Sequence, residues 1–91
     1  MTKLELIGRM AVAAGISREQ AKLALEAFTD GVTESLSAGR DVRLTGFGSF
    51  VMAERKAGLA RNPQTGETIA RQASRTARFR PGEGLKSALN G

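Results

Sequence analysis

The 91 residues predict one α+β domain, with a two-helix N-terminal base, a three-stranded antiparallel sheet bearing a long protruding β-hairpin arm, and a short C-terminal helix. Three observations carry this expectation. Apolar residues recur at helical spacing as far as Leu36, the period changes to two from Arg40, and Arg61-Asn62-Pro63-Gln64-Thr65-Gly66-Glu67 marks a reversal between flanks that have little to bury.

Thr2 with Glu5 forms a capping box, and Leu4, Ile7, Gly8 and Ala11 share one face behind it, so a first helix is expected over residues 3–14. Gly15 supplies a left-handed C-cap, and Ser17 with Gln20 opens a second helix at once. Its apolar positions Ala21, Ala24, Leu25, Phe28, Val32 and Leu36 keep a period near 3.6, and it should stop before Gly39. Two helices so joined form a corner, which invites a helix-turn-helix reading. The second helix carries Glu19, Glu26, Asp30 and Glu34 against Arg18 and Lys22, a poor complement to phosphates, so the pair reads as scaffold.

From Arg40 the alternation of Val42 and Leu44 with Arg43 and Thr45 gives a strand, and Gly46-Phe47-Gly48 a tight turn into a second strand. That triplet lacks the further glycines and the lysine of a nucleotide loop, and it precedes a strand. The second strand runs out into the basic hairpin. Pro63 suits the second turn position and Gly66 a positive φ. About eight residues from Arg55 to Asn62, at roughly 3.3 Å each, give a reach of about 26 Å. A strand at residues 76–80 returns, Pro81-Gly82 breaks it, and Leu85, Ala88 and Leu89 mark the last helix.

Charge is unevenly placed. Residues 1–45 hold six Lys/Arg and six Asp/Glu; residues 46–91 hold eight against three, which is the whole net +5. Clustered cations fit a polyanion, either nucleic acid or an anionic membrane surface, although no helix combines a strongly basic face with a large apolar one. With the arm excluded, roughly seventy residues with four Phe and neither Trp nor Tyr make a marginal core, and oligomerisation is the simplest remedy. Phe28, Phe47, Phe50 and Phe79 are accordingly expected to be buried. No Cys and no His, and only Asp30 and Asp41 as aspartates, leave no disulfide, no metal site and no ordinary catalytic base or nucleophile. No cofactor, small-molecule substrate or enzymatic activity is expected. The first residues lack the apolar run of a signal peptide and no stretch has membrane-span length, so a soluble cytoplasmic protein is expected.

Gly46-Phe47-Gly48-Ser49-Phe50, Arg61-Asn62-Pro63-Gln64-Thr65-Gly66 and Phe79-Arg80-Pro81-Gly82 stand in one order and spacing that resembles the bacterial HU/IHF family of histone-like DNA-bending proteins, over essentially the whole chain. The resemblance implies an intertwined dimer in the bacterial nucleoid, with residues 1–39 as helical dimerisation base, 40–54 and 75–81 as a saddle sheet, 55–74 as a DNA-embracing arm and 82–91 as the C-terminal helix. It places the four Phe in the dimer core and double-stranded DNA, entered through the minor groove, as partner. Arg55 and Arg61 would line the arm, Asn62 would sit beside the wedge, and Pro63 would be the wedge. Lys3 and Lys86 match phosphate-contacting positions, with Arg80 near the same surface. Lys56 lies on the same flank, and Arg71 and Arg75 are included from charge and position. Gly58, Glu83 and Ala77 depart from the family pattern and weaken the expected flank contact. A homodimer binding with little sequence preference is favoured over a subunit of an IHF-like sequence-specific heterodimer, and over an RNA-binding module using the same arm.

Overall fold

The computed structural model describes the backbone of residues 1–91 and every side chain except that of Arg71. Two compact units divide the chain, Met1–Glu34 and Ser35–Gly91.

In the first unit, α1 (Lys3–Ala14) begins where the sequence caps it. Thr2 is extended and its Oγ1 accepts the Glu5 N–H at 3.2 Å. Gly15 ends the helix at φ 67°, its N–H donating to the Ala11 and Val12 carbonyls. The second capping box is complete, because the Gln20 N–H donates to Ser17 Oγ at 3.0 Å and the Ser17 N–H donates to Gln20 Oε1 at 2.9 Å. From there α2 (Arg18–Ser37) runs across the division into the second unit. Ile7, Ala11 and Ala21 are buried together, with Met10 and Leu25 packed against them. The expected apolar stripe is wider than this seam. Leu4 remains 70% exposed, and Ala24 and Phe28 are also open, since a helix pair covers only the facing part of each stripe.

In the second unit, Gly39 takes φ 77° and closes α2, donating its N–H to Leu36 O at 3.0 Å while the Arg40 N–H reaches Ser35 O at 2.8 Å. The strands that follow are β1 (Val42–Leu44), β2 (Gly48–Arg55), β3 (Gly58–Arg61), β4 (Thr68–Arg71) and β5 (Ser74–Pro81), with α3 (Glu83–Asn90) last. β1, β2 and β5 form an antiparallel sheet in that order, and β3 pairs antiparallel with β4 in a separate two-stranded ribbon. The turn between β1 and β2 is closed by the Phe47 N–H on Leu44 O at 2.9 Å, with Gly46 at φ 87°.

One expectation needs refinement. A single uninterrupted hairpin was the simplest reading, whereas ladder pairing lapses at Lys56, Ala57, Gln72 and Ala73. Those residues have low strand propensity and supply no large apolar cross-strand pair. The register nevertheless survives the gap. Arg55 pairs with Ser74, and the next pair, Gly58 with Arg71, lies three residues further along both strands.

Gly48 has a packing role. A Cβ there would overlap the Phe79 ring and lie 2.7 Å from the Arg80 carbonyl oxygen, so the residue must be small for Phe79 to rest beside Phe47 and Phe50, at centroid distances of 5.5 and 5.1 Å. Gly48→Ala is expected to cost about 1–3 kcal/mol of stability in urea denaturation by displacing that ring.

Candidate nucleic-acid interface

Antiparallel partners point to the same side of a sheet, and successive residues to opposite sides, so the register sorts the charges. On β2 and β5 the pairs Ser49↔Arg80, Val51↔Arg78, Ala53↔Thr76 and Arg55↔Ser74 lie on one side. Arg43, opposite Ser49, joins them. Because the register persists, alternation brings Leu59 and Arg61, with their partners Ala70 and Thr68, to the continuation of the same side. Among the described residues, one side of the ribbon thus carries Arg43, Arg55, Arg61, Arg78 and Arg80, all exposed, with no carboxylate.

The other side is different in kind. Phe50↔Phe79, Met52↔Ala77 and Glu54↔Arg75 lie there, and the Arg75 Nη2 donates to the carbonyls of Leu36 and Ser37 at the end of α2, each at 3.0 Å. Arg75 was expected among the polyanion contacts. Its guanidinium is engaged with the end of α2, on the side opposite that of the other arginines. Arg78 and Arg43 were not singled out and belong with them. Strand parity held that signal, but only once the pairing partner was fixed.

The tip is held by its own backbone. Asn62 N–H donates to Glu67 O at 2.8 Å and Gly66 N–H to Asn62 O at 2.7 Å. Asn62 Oδ1 accepts the Gln64 N–H at 2.9 Å, an Asx turn that fixes the chain around Pro63. The Glu67 N–H reaches Thr65 Oγ1 at 3.3 Å, and Arg61 Nε reaches Gly66 O at 3.4 Å. Gly66 has the positive φ expected of it, 75°. Pro63 is exposed at the end of the ribbon, while Asn62 is half-buried.

The remaining expected residues are spread along the chain. Lys56 is exposed in the interruption between the two ladders, and Lys3 is exposed in the first turn of α1. Lys86 lies on α3, its Nζ 3.8 Å from Glu83 Oε1, an exposed pair too solvated to hold it. Arg71 has a side chain outside the described residues. Phe47 and Phe79 are 50% and 39% exposed, and Phe28 40%, so the single chain leaves open the aromatic surface that the sequence assigns to a core. Among the described residues there is no helix long and apolar enough to cross a membrane.

A cationic ribbon with a rigid turn at its end can follow a polyanion groove, and comparison with known proteins gives the same direction. The profile of the family described as Bacterial DNA-binding protein matches residues 1–90. The chain is 62% identical over 89 residues to "DNA-binding protein HU" of Caulobacter vibrioides, covering 98% of this chain and 97% of that one. It is 48% identical over 90 residues to "DNA-binding protein HU-beta" of Escherichia coli, covering 99% and 100%. Among solved structures, an Anabaena HU–DNA cocrystal structure superimposes with a TM-score of 0.89 at 37% identity, over 98% of this chain and 97% of that one. Thermotoga maritima HU gives 0.68 at 30%, over 98% of both.

The tip's geometry has its own test. Gly66→Ala places a side chain at φ 75°, a strain of roughly 1 kcal/mol, and is expected to speed hydrogen exchange at the Asn62 and Gly66 amides while leaving the melting temperature unchanged.

Proposed function

Since the chain belongs to the HU family of bacterial DNA-binding proteins, we propose that it is an architectural protein of the bacterial nucleoid, a dimer that grips duplex DNA between two arms and bends it with little regard to sequence. The observation that carries this reading is the side of the ribbon bearing Arg43, Arg55, Arg61, Arg78 and Arg80 and ending at an exposed Pro63.

In this reading the arginines serve as phosphate and minor-groove contacts, where guanidinium suits a narrow, strongly negative groove. Lys3, Lys56 and Lys86 extend the contact along the flanks. Pro63 acts as a wedge: its ring is apolar and it has no N–H to strand between bases, while Asn62 holds the turn behind it. Apolar wedges of this kind are a general device of minor-groove architectural proteins, HU among them. Unstacking a base step costs a few kcal/mol, offset by the extra phosphate contacts that a bent duplex allows. Contacts of this type read backbone and shape, which is why sequence preference is low.

Dimerisation follows from what one chain leaves uncovered. Among the described residues the buried hydrophobics are Ile7, Ala11, Ala21, Leu36 and Val51, while Phe28, Phe47 and Phe79 remain open. A second copy supplies the missing cover. The melting temperature is accordingly expected to rise with protein concentration, which a dilution series in calorimetry checks.

Wedging is tested at the tip. Pro63→Ala is expected to keep the fold and reduce the bend, read as end-to-end FRET on a duplex of about thirty base pairs; unchanged efficiency at saturation removes the wedge from the mechanism. Random duplex should compete almost equally with any chosen site, and preference for one sequence or for structured RNA would favour the other readings.

A further inference from the structure

We propose that Arg75 is a positioning residue for the arm, whose clamp on the end of α2 fixes the foot of the ribbon and sets where it begins to flex. The clamp itself is independent of DNA; its effect on bending rests on the function proposed above.

The last carbonyls of a helix have no intrahelical donor. α2 has no basic residue of its own in its last turn to offset the negative end of its dipole. Gly39 and Arg40 satisfy Leu36 O and Ser35 O from the backbone. Arg75 adds a donor from 38 and 39 residues away, with two N–H groups of one Nη2 on Ser37 O and Leu36 O. Leu36 is buried, so the contact is partly shielded from water, and a charged donor strengthens it further.

The position along the ribbon gives the clamp its consequence. Arg75 pairs with Glu54, one step from the final pair of the three-stranded sheet, Arg55↔Ser74. Immediately beyond, pairing lapses for two residues on each strand before resuming at Gly58↔Arg71. One side of the interruption is therefore tied to a helix, and the other carries only a two-stranded ribbon, marginal by itself. Flexing is confined to residues 56–57 and 72–73, with the arm swinging as a lever from a fixed foot. Lysine is an incomplete replacement, since its ammonium is more strongly hydrated and sits on a flexible stem, whereas the planar guanidinium presents both N–H groups of Nη2 in a fixed geometry.

Arg75→Ala, Arg75→Lys and Arg78→Ala distinguish this role from a phosphate contact. In the free protein, Arg75→Ala should speed amide exchange at residues 52–55 and 74–77 by tenfold or more, with Arg75→Lys in between and Arg78→Ala unchanged. In a salt-series titration, removal of one phosphate contact lowers the slope of log K against log salt by about 0.9, so Arg78→Ala, present in both copies of the dimer, should lower it by about 1.8. Arg75→Ala should leave that slope intact. It should also broaden the FRET distribution on intact duplex while binding nicked, already flexible duplex within twofold of the unaltered protein. Unchanged exchange overturns the proposal, as does a slope reduced as far as Arg78→Ala reduces it. Equal weakening on intact and nicked DNA overturns it as well, since that is the mark of general destabilisation. Absence of DNA binding by the unaltered protein would instead sink the DNA-binding function and leave the exchange comparison to decide the clamp. If Arg75→Ala does not fold, Arg75→Lys carries the same comparisons.

Discussion

The antiparallel register of β2 with β5, carried without slip into β3 and β4, is the constraint on which the molecule's chemistry depends. A shift of one residue would send every side chain of a strand to the opposite side. Arg78 and Arg80 would then turn toward the aromatic side, and Phe79 would be left on the cationic one. The register is held at its closed end by Gly48 under the Phe79 ring and at its open end by the Asn62 to Glu67 hydrogen bond. Between these anchors the ladder can lapse for two residues without losing phase.

Scarcity of apolar side chains explains the contrast between the two ends. Phe47, Phe50 and Phe79 meet at the closed end, while the ribbon beyond Arg55 has exposed Leu59 and Ile69 and little else to bury. Its shape comes from backbone hydrogen bonds and from the Asx turn at Asn62. A segment built this way resists collapse onto the rest of the chain and stays available to a partner. The same scarcity leaves the aromatic cluster half-covered, so the open cluster and the exposed ribbon are two results of one composition.

Much of this was legible in the sequence wherever a local rule decides the outcome. Thr2 with Glu5, Gly15, Ser17 with Gln20, Gly39 and Gly66 each adopt the cap or turn that their chemistry requires, since such motifs need only neighbours within a few residues. The arginines were less legible. Charge and proximity to the arm do not tell that Arg75 and Arg78 lie on opposite sides, because the side of a strand depends on partners as distant in sequence as Glu54 and Val51. The lapse at Lys56 and Ala57 was missed for a related reason: their weak strand propensity tells only against the equally weak Gln72 and Ala73 facing them.

Side-chain resonances test the sorting of charges by register most directly. With the arginine Nε–H groups observed by NMR during titration with a short duplex, Arg43, Arg55, Arg61, Arg78 and Arg80 should shift together in proportion to saturation, and Arg75 should stay near its free position. Movement of Arg75 with Arg55 and Arg61, while Arg78 and Arg80 remain still, would contradict the proposal that the side bearing these cations is the one that faces DNA.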